Sequence, residues 1–215
     1  MPSISQLRKE EQALHALLFT QAQYKNYIPV KSDSLLQIAE AYYRTSSDSL
    51  HKAWTLFYLA QYYRDSDEKE KALSYFQQAN IASRNIENNQ FKFLLNLHWA
   101  GLLTNEDAYE KGIEKYQTAN RYAILLKDTL KQINLYGKWG WCCLLKEEDE
   151  RADSLFNVGL TLSATTKDRI YDKYLLNRLS LTARERKDYK RALELVNRSL
   201  SLAKDSTELY PFCLL

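Results

Sequence analysis

Small and large side chains recur along the chain at a fixed step of 40 residues. Ala72, Gly112, Ala152 and Ala192 form one column, all small. Four residues on stand Phe76, Tyr116, Phe156 and Val196, all bulky, and three further on Ala79, Ala119, Gly159 and Ser199, small again. Twelve residues before the first column come Ala60, Ala100, Gly140 and Ser180, each behind a large apolar residue: Leu59, Trp99, Trp139 and Leu179. Spacings of three and four belong to one face of a helix, not to a strand. Small residues at fixed points let two helix axes approach, and a bulky residue one turn on fills the hole beside them.

Polar residues keep the same step. Asp48, Asn88, Asp128 and Asp168 stand where a helix would start, and such residues accept a bond from an orphan N–H group there. A second start lies 19 residues later, with Asp67 and Glu70, Asp107 and Glu110, and Glu147 and Glu150 in capping-box spacing. Lys187-Asp188 displaces that signal in the fourth copy. Each unit therefore predicts a helix A of about 16 residues, a short turn and a helix B of about 18–20. In the second unit these cover 49–64 and 68–86.

The composition agrees with long helices and short turns, because 215 residues include only 5 Gly and 3 Pro. With 30 Lys+Arg against 27 Asp+Glu the net charge is +3, and no run of basic residues forms a nucleic-acid patch, so no nucleic-acid partner is expected. No apolar stretch approaches the ~20 residues that span a bilayer, and the first residues lack a secretory signal. The expected location is cytoplasmic, or periplasmic if the chain is a piece of an exported regulator. Cys142, Cys143 and Cys213 form neither a disulfide framework nor a zinc spacing. Cys143 is expected in the core and Cys142 near the surface.

The order large–small, then small, bulky and small again resembles the tetratricopeptide repeat (TPR). The residues that carry it are Leu59-Ala60, Tyr63, Ala72, Phe76 and Ala79, then Trp99-Ala100, Leu103, Gly112, Tyr116 and Ala119. They continue as Trp139-Gly140, Cys143, Ala152, Phe156 and Gly159, and as Leu179-Ser180, Ala183, Ala192, Val196 and Ser199. A worn first unit fits with Phe19-Thr20, Leu36 and Ala39. The resemblance implies an all-α fold, a right-handed α-solenoid of antiparallel helix pairs. The chain then reads as one array over 1–215, with repeats at 13–52, 53–92, 93–132, 133–172 and 173–212. A period of 40 exceeds the usual TPR period of about 34. The closing proline is also absent, so helix B is expected to run about one turn longer. Residues 209–215 would begin a further helix A without a partner, pointing to a longer array or to self-association at that end.

In the family, helix A lines the concave groove, and its groove positions transfer residue by residue. One column is Trp54, Leu94, Asn134 and Tyr174; a second is Tyr58, His98, Lys138 and Arg178; a third is Gln61, Gly101, Trp141 and Leu181, with Asn177 beside Arg178. The candidate partner-binding residues are Trp54, Tyr58, Gln61, His98, Lys138, Trp141, Tyr174, Asn177 and Arg178. Aromatic anchors with amides and cations suit a peptide or partner segment that offers apolar side chains and an acidic part. The alternatives are bland: Trp54 and Trp141 tucked between neighbouring A helices, His98 a half-buried helix histidine, Lys138 and Arg178 solvated, and Trp99 and Trp139 in the core. The family's carboxylate clamp is not reproduced, since Phe57, Gln61, Leu97 and Gly101 stand at its positions. His15, His51 and His98 stand far apart, no glycine makes a phosphate loop, and no catalytic, metal or cofactor constellation is found. The expected function is a non-enzymatic protein-interaction scaffold. A sensory region of a larger bacterial signalling or transcription-regulating protein is the second reading.

Overall fold

The computed structural model describes residues 7–167 and 169–203. Among them are ten α-helices and no strand: α1 Lys9–Lys25, α2 Ser34–Tyr43, α3 Ser49–Asp65, α4 Lys69–Ala82, α5 Asn89–Asn105, α6 Tyr109–Leu126, α7 Thr129–Leu145, α8 Asp149–Ser163, α9 Asp172–Glu185 and α10 Tyr189–Ala203. The first four odd-numbered helices begin at 9, 49, 89 and 129, which is the period of the sequence columns. The expected helix start at Asp168 and the segment 209–215 lie outside the described residues.

Caps explain these starts. Asp48 accepts the His51 N–H at 3.0 Å, Asn88 that of Phe91 at 2.8 Å, and Asp128 that of Lys131 at 3.0 Å. α9 begins late, and the buried Asp172 carboxylate at its first position accepts from the Ser163 hydroxyl and from Arg169 Nε, the latter at 2.6 Å.

The second set of starts differs from expectation. Asp67, Asp107 and Glu147 do not cap the even-numbered helices; they end the odd-numbered ones, in left-handed backbone at φ 59°, 55° and 64°. Tyr27 and Lys187 hold the same conformation at 55° and 60°. In this turn the N–H of the following residue reaches back over the helix end: Glu68 to the Tyr63 carbonyl at 2.8 Å, Glu148 to Cys143 and Asp188 to Ala183 at 2.9 Å. The cap therefore moves one residue on, to Glu68, Ala108 and Glu148, none of which makes a side-chain cap bond. Glu68 and Glu148 pair instead with Lys71, Lys146 and Arg151. Asp188, where the sequence signal is displaced, does cap, accepting the Arg191 N–H at 3.1 Å.

The expected lengthening of helix B occurs in α6, which reaches Leu126. α4 and α8 stop at Ala82 and Ser163. Ser83 donates to the Asn80 carbonyl, and Thr165 and Thr166 to those of Leu162 and Ser163, satisfying last-turn acceptors outside the helix. The matching stretch of α6, Ala123-Ile-Leu125, has no hydroxyl and stays helical.

The chain divides into two compact units, Met1–Asn105 and Glu106–Leu215. In the first, α3 is central: hairpins α1/α2 and α3/α4 pack together, α5 lies on α3 and α4, and α1 lies directly on α3. Its core is aromatic, with Phe57 at 6.2 Å from Phe76 and 6.0 Å from Phe91, and Phe76 stacked on Trp99 at 6.3 Å. Asp33 accepts from Tyr63 Oη at 2.8 Å and from Gln37 Nε2 at 2.9 Å, tying the segment before α2 to α3. Phe19 is 48% exposed although Leu59 and Leu179 in its column are buried.

In the second unit α6 lies on α7, hairpins α7/α8 and α9/α10 pack through α8 and α9, and α7 touches α9. A Cβ on Gly140 would stand 2.6 Å from the Phe156 ring, and one on Gly159 3.1 Å from Leu175, so these glycines are where helices close on one another. Trp139 is half-buried rather than in the core, with the Arg151 guanidinium 5.7 Å from its ring. Cys142 is as buried as Cys143, correcting its expected place near the surface; its thiol faces the Tyr109 carbonyl at 3.7 Å.

Candidate binding face

In the first unit, packing of α1 on α3 and of α3 on α5 sets their side chains in contact. Tyr24 stacks on Tyr58 at 5.5 Å, Trp54 stacks on Tyr58 at 5.7 Å, and Trp54 meets Phe91 edge-on at 4.8 Å. Trp54 is therefore half-buried between neighbouring odd-numbered helices. Tyr58 and Gln61 are each only 4% exposed, and burial pushes the Tyr58 hydroxyl pKa up. Gln61 Oε1 is buried and has no hydrogen-bond partner among the described residues. His98 is half-buried against Phe57 at 5.5 Å, and its Nδ1 accepts from Arg64 Nη1 at 3.2 Å; Arg64 also holds Asp65 at 2.7 Å. Gly101 faces open space, since a Cβ there would meet nothing within 4 Å.

In the second unit the face is built by α7 and α9. A Cβ on Gly137 would stand 2.7 Å from the Tyr174 ring, so Tyr174 sits against bare backbone. One turn along both helices, the Arg178 guanidinium lies 3.7 Å from the centre of the Trp141 ring and 5.0 Å from that of Tyr174. Trp141, Tyr174, Lys138 and Arg178 are half-buried and Asn177 is exposed.

The structure thus brings Trp54 and Tyr58 together, and Trp141, Tyr174 and Arg178 together. His98 sits with Phe57 and Arg64. The columns do not single out Tyr24, Arg64 or Gly137. Tyr24 and Arg64 belong to the last turn of their helices, where side chains reach the neighbouring helix, and Gly137 reads as one of two glycines inside a helix.

These groups can stack on and hydrogen-bond a partner. They contain no nucleophile with an adjacent base, and no group of three His, Cys, Asp or Glu among the described residues could hold a metal ion. A hollow of about 600 Å³ at the α7–α8 turn is lined by Glu147, Glu148, Asp149, Glu150, Arg151 and Arg186, none of them a candidate residue. No helix among the described residues is long and apolar enough to cross a membrane.

No family model matches the chain, and no curated protein matches it in sequence. Solved structures do. BtubC (BKLC) from P. vanneervenii superposes with a TM-score of 0.78 at 14% identity, over 94% of this chain and 85% of that one. The nearly identical TPR-like repeats of a Podosopora anserina kinesin light chain give 0.74 at 11%, over 92% and 99%. A Rap protein complexed with competence and sporulation factor gives 0.71 at 18%, over 93% of this chain and 56% of that one. At such identities the likeness concerns the fold, which is that of TPR-like repeat proteins: all-α, a right-handed α-solenoid of antiparallel helix pairs.

Proposed function

We propose that this TPR-like chain is a non-enzymatic protein-interaction scaffold whose odd-numbered helices bind a peptide or partner segment. The five repeats, 13–52 to 173–212, act as one array over 1–215. Trp54 and His98 in the first unit, and Lys138, Trp141, Tyr174, Asn177 and Arg178 in the second, form its binding positions, while Tyr58 and Gln61, each only 4% exposed, support that face rather than touch the segment. The observation that carries this reading is the collection of aromatic and cationic side chains on α3, α5, α7 and α9 without any catalytic grouping. Large, rigid rings and stacked arginines supply contact area at low entropic cost, which is how interfaces concentrate their energy. The segment bound combines apolar anchors with an acidic part. The test is capture of partners from the native host by wild type and by the Trp54→Ala/Arg178→Ala double variant, with matched thermal melts. Loss of the same bound chains from the variant is expected; equal recovery removes the face.

The likeness to the Rap complex, of which this chain matches about half, favours a second reading as the sensory part of a larger bacterial signalling or transcription-regulating protein. A coding sequence that continues past Leu215 into an output domain supports it, and an immediate stop rejects it.

A further inference from the structure

We infer that Arg178 is a carboxylate seat: an acidic polypeptide segment docks on the α7–α9 face with one carboxylate on the in-plane donors of this guanidinium. The inference rests on the binding-face reading above and narrows it to one chemistry. Three arginines among the described residues are half-buried: Arg64, Arg178 and Arg191. Arg64 holds Asp65 at 2.7 Å and Arg191 holds Asp153 at 3.2 Å. Arg178 has no ion pair among the described residues and holds two rings instead, Trp141 at 3.7 Å and Tyr174 at 5.0 Å.

Stacking occupies the flat faces of a guanidinium and leaves its N–H donors, which lie in the plane, open to an acceptor. A partly desolvated cation without a counter-ion is held at a cost that an incoming anion removes. The stack is a built feature. Gly137 admits the Tyr174 ring, and the i,i+4 spacing on each helix then brings Trp141 and Arg178 together one turn on. One planar fork with one charge matches a carboxylate bidentately. A phosphate dianion calls for a second cation, and the stack of Trp141, Tyr174 and Arg178 supplies only one.

The test is fluorescence anisotropy of the full chain with fluorescein-labelled hexaglutamate, free or amidated at its C-terminus, hexaglutamine and a phosphoserine peptide. Wild type is expected to bind hexaglutamate and not hexaglutamine. Arg178→Gln weakens binding at least tenfold. Arg178→Lys, which keeps the charge but loses the fork, does so nearly as much and covers the case in which the glutamine variant does not fold. Equal binding of the free and amidated forms assigns the seat to side-chain carboxylates; loss on amidation assigns it to a chain terminus. Unchanged binding by Arg178→Gln, no binding by wild type, or preference for the phosphopeptide overturns the inference. Partner capture that fails in Trp54→Ala yet survives in Arg178→Gln also removes the seat while leaving the binding face intact.

Discussion

Lys187 occupies left-handed backbone at φ 60°, where a Cβ crowds the next carbonyl at a cost of about 1–2 kcal/mol. Glycine escapes that cost but loses more entropy on folding. The balance predicts that Lys187→Gly raises stability by about 1 kcal/mol in a denaturant titration; a loss would mean that the lysine side chain holds the turn. Gln61 gives a second test. Its carbonyl is buried without a partner among the described residues, and such a group costs about 1–3 kcal/mol. Gln61→Leu, of similar volume, is therefore expected to raise the midpoint of unfolding, and a fall would show that the amide is satisfied in solution. Neither feature is legible in the sequence. The turn residues are Tyr27, Asp67, Asp107, Glu147 and Lys187, none of them glycine or asparagine, and a glutamine in a groove column gives no sign of being buried.

Where two helices close on each other, the side chain allowed is set by the gap. Gly140→Ala drives a methyl into the Phe156 ring and is expected to cost about 1–3 kcal/mol. Gly101→Ala, with open space around its Cβ, should gain about 0.5–1 kcal/mol from helix propensity. Equal effects in parallel melts would reject the packing account. This is why the helix order was legible: close approach demands small side chains, and a repeat writes that demand into columns at a fixed step. The ends of the even-numbered helices were not, because α4 and α8 stop at Ala82 and Ser163 while α6 runs to Leu126, and no residue column marks that difference. Acid should act at the joint between α3 and the segment before α2. Hydrogen bonds from Gln37 and Tyr63 hold the Asp33 carboxyl below its usual range. Its contribution is then complete above the ordinary carboxylate pKa and fades as pH falls through the lowered value. Thermal midpoints followed down from pH 7 should drop in wild type, and Asp33→Asn should flatten that part of the curve.

For the molecule as a whole, a net charge of +3 over 215 residues makes long-range steering weak. Stopped-flow mixing with hexaglutamate should show association rates that change less than about tenfold between roughly 50 and 500 mM salt, with Arg178→Gln acting on dissociation; a steep fall of the association rate would indicate a basic field that the composition does not supply. The candidate face was legible as columns of residue types, which placed Trp141, Tyr174 and Arg178 on facing helices. The stacking of Arg178 was not, since it depends on a few ångströms set by Gly137. The five junctions that lead from an odd-numbered helix to the next even-numbered one bend the chain at nearly the same φ while carrying Tyr, Asp, Asp, Glu and Lys. Hinges this indifferent to what they wear leave evolution free to recolour each turn, from aromatic to acidic to basic, without refitting the two rods it joins.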